Sequence, residues 1–231
     1  MTHKDTFARA EALLGTDSMK RLENIQILLF GVGGVGSWAA EGLVRSGVKH
    51  LTIVDPDLVD PTNINRQLMA TSLTIGQPKV EALKKHLLEI NPDAEIIALQ
   101  ERYSASTEFG QNITLDFDRF DYIIDAIDSM DDKVELIIEA SKSKATLISS
   151  MGAAMKTDPT KVSVAEFWKV KGCPLARALR NKMKRSGRFP EKKFLCVYSE
   201  ESRPELADSS LKGSIVQVTA TFGFTLCSLI V

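Results

Sequence analysis

The feature that most constrains the fold of this chain is a glycine-rich turn between a short apolar run and a helical pattern. The apolar run 25–30 (IQILLF) has the length of a buried strand, and the turn GVGGVGS follows it. Residues 37–45 then show helical spacing of apolar side chains, with Gly47 placed to end the helix. A second apolar run, 51–54, ends at Asp55. The pattern predicts a strand, a turn, a helix and a second strand.

A unit of this kind is typical of nucleotide binding. Glycines let the backbone approach phosphates closely, and the start of the helix supplies N–H groups that can bind an anion. Asp55 lies 24 positions after the first glycine and can accept hydrogen bonds from ribose hydroxyls. The motif alone leaves open whether the ligand is a dinucleotide such as NAD, another nucleotide, or no ligand at all. The glycines predicted to contact a nucleotide are Gly31, Gly33, Gly34 and Gly36.

The charge of the chain is unevenly distributed. The 231 residues are 44% apolar, enough for a substantial core, and the formal net charge is only −1. Residues 169–193 nevertheless contain ten Lys or Arg and one acid, which leaves 19 bases and 29 acids in the remainder. The sequence therefore predicts a basic segment on an otherwise acidic protein.

Strand and helix patterns alternate along the first two thirds of the chain. Alternation with short loops predicts an α/β fold, a doubly wound, Rossmann-like, mostly parallel sheet whose ligand crevice lies at the carboxyl ends of the strands. After the second strand, further strands are predicted at 94–99, 120–126 and 146–150, and helices at 79–90, 104–112 and 133–143.

The alternation breaks after Met151. Residues 152–167 resemble two strands about a turn at Asp158-Pro159, followed by a basic helix and a strand at 194–198. We therefore expect an antiparallel C-terminal extension on the same sheet. The predicted domains are a nucleotide-binding, Rossmann-like domain with a helical lead-in at 1–155 and an extension that carries the basic helix at 156–231.

Three charged residues downstream of the second strand indicate phosphate chemistry. A phosphoryl or adenylyl transfer site needs cations aimed at phosphates and an acid that holds magnesium. Arg66 and Lys79 supply the cations and Asp128 supplies the acid, whereas hydride transfer to a dinucleotide needs none of them. The set favours ATP over NAD, although each residue alone could be a solvated side chain or a helix cap. The further residues predicted to contact the nucleotide are Asp57, Asn63, Asn65 and Gln67.

Four ordered motifs resemble a known superfamily. The segments GVGGVGS, TIVDPDLVDPTNINRQ, GQPK and IDAIDS resemble the adenylating superfamily of ubiquitin-activating enzymes and bacterial sulfur-carrier activators. The resemblance implies ATP on the glycine loop, ribose on Asp55, phosphates on Asn65, Arg66 and Lys79, and magnesium near Asp128. It also implies a homodimer in which an N-terminal arginine, here Arg9, reaches the ATP of the neighbouring subunit.

A narrower resemblance covers nearly the whole chain. Together with the glycine segment, the RQ pair at 66–67, the PLA run at 174–176 and VTATFGF at 218–224 resemble the tRNA threonylcarbamoyladenosine dehydratases. This implies that ATP activates the carboxylate of threonylcarbamoyladenosine in tRNA, that a nitrogen of the modification closes a ring, and that AMP and pyrophosphate leave. The alternative is adenylation of the C-terminal glycine of a ubiquitin-like sulfur-carrier protein.

The basic segment fits an RNA substrate independently of the resemblance. If residues 177–188 are helical, spacings of three or four place several cations on one side, where they can contact phosphates without reading sequence. A solvated helix face with no ligand is the alternative. The predicted nucleic-acid contacts are Arg177, Arg180, Lys184, Arg185 and Arg188.

The cysteines and the tail bear on the setting of the protein. Cys173, Cys196 and Cys227 form no CxxC pair, which argues against a disulfide framework and a four-cysteine zinc site and favours reducing cytoplasm. Cys196 and Cys227 are predicted to be buried, so Cys173 is the one candidate for reactivity. The connector 199–213 lacks cysteine, so sulfur transfer through it is not expected, and a sulfur-relay partner is left open. The uncharged tail 213–231 is interpreted as a buried helix rather than a membrane segment.

Overall fold

The computed structural model describes residues 3–103, 115–201 and 213–231, with the side chains of residues 3–5 excepted. The helix predicted at 104–112 and most of the connector 199–213 lie outside the described residues.

One sheet of seven strands runs through the described residues. Neighbouring strands are parallel except β6 and β7, which are antiparallel, and their order is β3-β2-β1-β4-β5-β7-β6. This arrangement confirms the predicted α/β fold with a mostly parallel sheet and an antiparallel end. The strands are β1 (Gln26–Phe30), β2 (His50–Val54), β3 (Glu95–Leu99), β4 (Tyr122–Asp125), β5 (Thr146–Ser150), β6 (Val162–Glu166) and β7 (Leu195–Ser199).

Helices cover both faces of the sheet. Successive side chains of β1 point to opposite faces, so Ile27 and Leu29 join one core cluster while Leu28 and Phe30 join the other. The first cluster is closed by α3, α4 and α7, and the second by α5 and α6. The helices are α1 (His3–Leu14), α2 (Thr16–Asn24), α3 (Gly36–Arg45), α4 (Lys79–Ile90), α5 (Met130–Lys142), α6 (Pro174–Ser186) and α7 (Val216–Ser228).

The apolar tail forms α7, which packs tightly on α3. A Cβ on Gly223 would lie 2.6 Å from the Val35 carbonyl oxygen and 2.7 Å from Trp38 Cβ, so only glycine allows this approach. Phe222 and Leu226 are buried in the first cluster. The tail is therefore a buried helix, as predicted, and among the described residues no helix is long and apolar enough to span a bilayer.

The prediction of two strands between residues 152 and 167 is wrong in its first half. Residues 151–158 form no strand, because tertiary hydrogen bonds occupy the groups that a ladder would need. Met155 has a φ of 61°, and its N–H donates to the Gly213 carbonyl at 2.9 Å. The Thr157 and Asp158 N–H groups both donate to Glu201 Oε2 at 2.9 Å. Only β6 forms, and it pairs with β7.

Candidate active site

The carboxyl ends of β1, β2 and β4 bring three predicted site segments to one edge of the sheet. Phe30, the last residue of β1, pairs with Val54 on one side and with Asp125 on the other. The Ala126 N–H donates to the Phe30 carbonyl at 2.8 Å, next to the start of the glycine loop. The glycine loop, Asp55 and the loop after β4 therefore leave the sheet side by side.

Two of the four predicted glycines are required by the packing of the loop itself. Gly31 has a φ of +82°, and a Cβ there would lie 2.7 Å from the Ala126 carbonyl oxygen. A Cβ on Gly36 would lie 1.8 Å from the Gly31 carbonyl oxygen. A side chain at either position would force the backbone apart, so these glycines fix the turn from β1 into α3.

The other two glycines face the segment that carries Arg66 and Gln67. A Cβ on Gly34 would lie 3.3 Å from Arg66 Cγ, and a Cβ on Gly33 would lie 3.7 Å from Gln67 Nε2. Because neither glycine carries a side chain, the loop backbone stays accessible beside these two residues. This is the space that a phosphate would need.

Hydrogen bonds to α3 fix the position of that segment. Trp38 Nε1 donates to the Arg66 carbonyl at 3.0 Å. Ser37 Oγ donates to the Gly33 carbonyl at 2.7 Å and accepts the Leu68 N–H at 3.2 Å. The arginine is therefore held against the glycine loop by its own backbone, independently of any ligand.

The side chains of Arg66 and Gln67 retain unused hydrogen-bonding groups. Arg66 Nη1 donates to the Thr62 carbonyl at 2.8 Å and to Asn65 Oδ1 at 3.0 Å. No carboxylate of the described residues pairs with this guanidinium. Gln67 is buried, and its Oε1 has no hydrogen-bond partner within the described part of the chain. A buried acceptor without a partner is costly unless a ligand or water supplies a donor.

The two asparagines of the segment are engaged within the protein. Asn63 is buried, and its Oδ1 accepts the Asp60 N–H at 3.1 Å, which closes a capping box on a short 3-10 turn. Asn65 Nδ2 donates to the Ser214 carbonyl at 2.8 Å, just ahead of α7. Both residues shape the segment, and Asn65 also supports the arginine directly.

Asp55, Asp57 and Lys79 form the second cluster of the site. The Asp55 carboxylate is buried and accepts the Val32 N–H at 2.8 Å and the Asp57 N–H at 3.0 Å. Burial raises the pKa of Asp55 above its ordinary range, although Lys79 and the two N–H donors oppose this shift. Lys79 Nζ lies 2.7 Å from Asp57 Oδ2 and 3.9 Å from Asp55 Oδ1. A buried cation thus faces two carboxylates at the carboxyl edge of β2.

Asp128 follows β4, whereas the cluster of Asp55, Asp57 and Lys79 lies at the end of β2. The glycine loop, which follows β1, lies between them in the strand order. Asp128 is exposed in the loop between β4 and α5, one residue before the helix N-cap Ser129. The described residues offer no ion-pair or hydrogen-bond partner to its side chain. A carboxylate in this state can bind a hard cation at little cost, since oxygen ligands are those that magnesium prefers.

A buried ion pair that the sequence did not reveal supports the loop of Asp128. Lys133 and Asp125 are both fully buried, with Nζ and Oδ2 at 2.8 Å. Lys133 Nζ also donates to the Ile127 carbonyl at 3.0 Å, and Ser149 Oγ donates to Asp125 Oδ2 at 2.6 Å. Lys133 occupies the same helical face as the buried positions 136, 137 and 140. That spacing was the available signal of a buried lysine.

The basic segment forms α6, but its cations fall into two groups. Arg180 Nη1 donates to the Phe167 and Val170 carbonyls, both at 2.9 Å. Arg188 lies beyond the end of α6, so its predicted place on the helix is wrong, and it forms a bidentate pair with Glu135 at 2.7 and 2.9 Å. The cations that are exposed and have no partner among the described residues are Arg177, Lys184 and Arg185.

Arg9 and the three cysteines are the remaining predicted residues. Arg9 is exposed on α1. All three cysteines are free and buried, including Cys173, the candidate for reactivity. Burial raises the pKa of the Cys227 thiol to about 11. Across residues 3–103, 115–201 and 213–231, no three His, Cys, Asp or Glu side chains cluster as a metal site.

Comparison with known proteins agrees with this geometry. A family model described as the ThiF family matches residues 7–230. The tRNA threonylcarbamoyladenosine dehydratase of Bacillus subtilis (strain 168) is 42% identical over 201 residues, which is 85% of this chain and 75% of that protein. The Escherichia coli K12 protein of the same name is 31% identical over 249 residues, covering 97% of this chain and 91% of that protein.

The solved structures extend the comparison to the fold. The crystal structure of the E. coli dehydratase in complex with ATP superposes with a TM-score of 0.84 at 31% identity, covering 98% of this chain and 92% of that chain. The complex of the same enzyme with AMP gives a TM-score of 0.84. The chain therefore belongs to the ThiF family and, within it, to the tRNA threonylcarbamoyladenosine dehydratases.

Proposed function

We propose that this protein is an ATP-dependent enzyme that dehydrates threonylcarbamoyladenosine in tRNA to its cyclic form through an acyl-adenylate. The observation that carries the proposal is the convergence of Arg66 and Lys79 on the sheet edge that bears the glycine loop. The names of the relatives and the ATP-bound structure of one of them support it.

The residues present fit an adenine nucleotide. Asp55 is a buried carboxylate at the end of β2, in the position from which such residues accept ribose hydroxyls. Arg66 lies against Gly34 without a carboxylate partner among the described residues, and Lys79 is paired with an aspartate that is itself exposed to water. The two cations can therefore reorient toward phosphates at a modest cost in free energy. Among the described residues Gln67 Oε1 has no donor, so a ligand can supply one.

Asp128 is the residue that would hold magnesium. Its exposed carboxylate lies in the loop that emerges beside the glycine loop, and oxygen ligands suit this ion. Magnesium would supply neutralisation of phosphate charge at the leaving group. The Lys133–Asp125 pair holds the backbone of that loop in place through the Ile127 carbonyl.

The proposed reaction has two balanced steps. A carboxylate oxygen of the threonyl group attacks the α-phosphorus of ATP, an acyl-adenylate forms, and pyrophosphate leaves. A nitrogen of the modification then attacks the acyl carbon and loses its proton, and AMP leaves with the former carboxylate oxygen. Arg66 and Lys79 stabilise the charge that develops on the phosphates, the kind of interaction that dominates such catalysis.

The test follows the mass of the modified nucleoside. Threonylcarbamoyladenosine-containing tRNA is incubated with enzyme, ATP and magnesium, and we expect the nucleoside to lose one water. Arg66→Ala and Asp128→Ala should each reduce the rate on the order of 10²-fold or more. The matched controls Arg119→Ala and Asp93→Ala remove exposed charges elsewhere and should have no effect. If the wild-type protein removes no water but a ubiquitin-like protein stimulates ATP–pyrophosphate exchange, the alternative substrate is correct.

The resemblance to the adenylating superfamily extends the proposal to a homodimer in which Arg9 acts on the partner's ATP. The exposure of Arg9 on α1 is compatible with such a contact. Inactive Arg9→Ala and Lys79→Met subunits can be mixed, because a mixed dimer would then contain one complete site. Recovered activity supports the contact between subunits, whereas no recovery in a verified mixed dimer contradicts it.

A further inference from the structure

Two exposed aromatic side chains lie in, or directly before, the basic segment 169–193. Trp168 is 40% exposed and Phe189 is 48% exposed, and their ring centroids are 6.1 Å apart at an angle of 47°. Large aromatic side chains gain much free energy from burial, so two of them side by side at the surface indicate a binding site rather than chance.

An internal arginine fixes the turn that carries Trp168. The tryptophan is the middle residue of the 3-10 turn Phe167–Lys169. Arg180 Nη1 donates to the Phe167 and Val170 carbonyls, which flank the tryptophan on either side. Phe167 is buried and stacks on Phe194 at 4.9 Å between centroids. The turn is therefore anchored to the core, while Trp168 remains 40% exposed.

A second arginine fixes the segment that carries Phe189. Gly187 ends α6 with a φ of +69°, and the chain then leaves the helix. Arg188 is held by the bidentate pair with Glu135 and lies 3.6 Å from Glu139. The residue that precedes Phe189 is therefore anchored to α5. The two arginines that the sequence assigned to RNA contact thus anchor the segments next to the two aromatic residues.

The segment 168–193, which carries both rings, contains ten Lys or Arg and one acid, Glu191. The acids of α5 that face α6 are neutralised, since Asp131 pairs with Lys182 and Glu135 pairs with Arg188. Exposed cations flank both aromatic residues in sequence, and none has a partner among the described residues. They are Lys169, Lys171, Arg177, Lys184 and Arg185.

We infer that Trp168 and Phe189 form a stacking site for an unpaired base of the RNA substrate. Unpaired bases stack on aromatic rings while nearby cations bind the backbone phosphates, which is the chemistry displayed here. Paired bases are unavailable for such stacking, so a loop or a single-stranded end of the tRNA is the occupant. The inference rests on the proposed function, because it assumes that the substrate is tRNA.

The test separates stacking from charge. Trp168→Leu and Phe189→Leu keep apolar bulk but remove the aromatic face, and each should raise the KM for tRNA about tenfold, with kcat and the KM for ATP unchanged. Trp168→Phe keeps an aromatic face and should restore most of the affinity. The control Leu13→Ala, another exposed apolar position, should have no effect. Salt dependence should stay as in the wild type for the Leu variants, whereas Lys184→Ala should weaken it.

Fluorescence distinguishes failure of the inference from failure of the proposed function. An unstructured oligoribonucleotide should quench the wild-type protein more than the Trp168→Phe variant. If the tRNA is not dehydrated but this difference is present, the stacking site stands without the proposed reaction. If the wild type dehydrates tRNA while folded Leu variants have an unchanged KM, the inference is wrong. Loss of dimerisation or of binding to a protein in the Leu variants, with RNA affinity intact, would also overturn it.

Discussion

Two lysines at the carboxyl edge of the sheet form the same kind of ion pair in different surroundings. Lys79 on α4 lies 2.7 Å from Asp57, and Lys133 on α5 lies 2.8 Å from Asp125. Both lysines are buried. Asp57 has a side chain that is 62% exposed, whereas Asp125 is fully buried.

The exposure of the partner decides what each lysine can do. Water solvates Asp57 when its lysine turns to another anion, so Lys79 can exchange the carboxylate for a phosphate. If Lys133 left Asp125, a buried charge would remain unpaired, and such a charge is costly. Lys133 is therefore confined to a positioning role beneath the loop of Asp128. Burial of the cation alone therefore does not identify a catalytic lysine.

Removal of Lys133 should have the largest effect on stability. Lys133→Met leaves Asp125 charged and unpaired, so we expect a loss of about 3–5 kcal/mol in the free energy of unfolding, measured with urea. The double variant Lys133→Met with Asp125→Asn removes both charges and should recover much of that loss. Lys142→Met, an exposed position on the same helix, should cost less than about 1 kcal/mol. Equal losses of stability in Lys133→Met and Lys142→Met would show that the burial of the Lys133–Asp125 pair does not raise the cost of removing its cation.

Removal of Lys79 should instead act on the reaction. Lys79→Met should lower the rate of tRNA dehydration about 10²- to 10³-fold, because a cation at the phosphates is lost. The free energy of unfolding should fall by less than for Lys133→Met, since exposed Asp57 becomes hydrated and buried Asp55, 3.9 Å from Nζ, keeps the N–H donors of Val32 and Asp57. Lys85→Met, an exposed position on α4, serves as the control. Normal activity in folded Lys79→Met would remove this lysine from the site.

Arginine substitutions sharpen the difference. Lys133→Arg places a larger, forked cation in a fully enclosed space and should destabilise the protein by about 1–3 kcal/mol in urea unfolding. In Lys79→Arg the larger guanidinium can extend toward exposed Asp57, so we expect little change in stability. The contrary order, with the greater loss at position 79, would show that the exposed partner does not relieve crowding.

The pair of His86 and Glu41 lies between these extremes and should give the smallest effect. Its hydrogen bond raises the pKa of His86 above 6.5, so the folded state holds the proton more tightly than the unfolded chain. The stabilisation is complete below about pH 6.5 and is lost as the pH rises through the folded-state pKa.

Urea unfolding at about pH 6 and pH 9 measures this contribution. The wild type should lose more stability than His86→Gln over that interval, by at most about 1 kcal/mol, because the imidazole is partly exposed. An equal loss in both proteins would show that the imidazole gains nothing from Glu41.

The fold was predictable wherever local pattern and burial agree. β5 and α4 have their predicted bounds, because each is an apolar run or an amphipathic stretch between clear breakers. α5 begins at Met130 rather than at Lys133, since the first turn is acidic and is stabilised by the helix dipole rather than by apolar spacing. The strand predicted in residues 151–158 is absent because hydrogen bonds to distant segments, such as that of Met155 with Gly213, determine the backbone conformation there.

The candidate site was predictable by residue type but not by partner. Arg66, Lys79 and Asp128 follow from the chemistry of phosphate transfer and from their motifs. The engagement of Arg180 and Arg188 depends on carbonyls and carboxylates of other elements, so spacing along one helix could not distinguish them from exposed Lys184. The position of Lys133 on the buried face of α5 was visible in the helical spacing. A lysine in a sequence is nevertheless predicted to be solvated unless its buried partner is known.

The most direct test of the central claim follows the carboxylate oxygen. Threonylcarbamoyladenosine in tRNA is labelled with oxygen-18 in both carboxylate oxygens and converted with unlabelled ATP and magnesium. Adenylation by this protein predicts that one label appears in AMP and the other stays in the cyclic nucleoside. Label in inorganic phosphate together with the formation of ADP would contradict the acyl-adenylate account. Loss of water from the nucleoside without any label in AMP would contradict it as well.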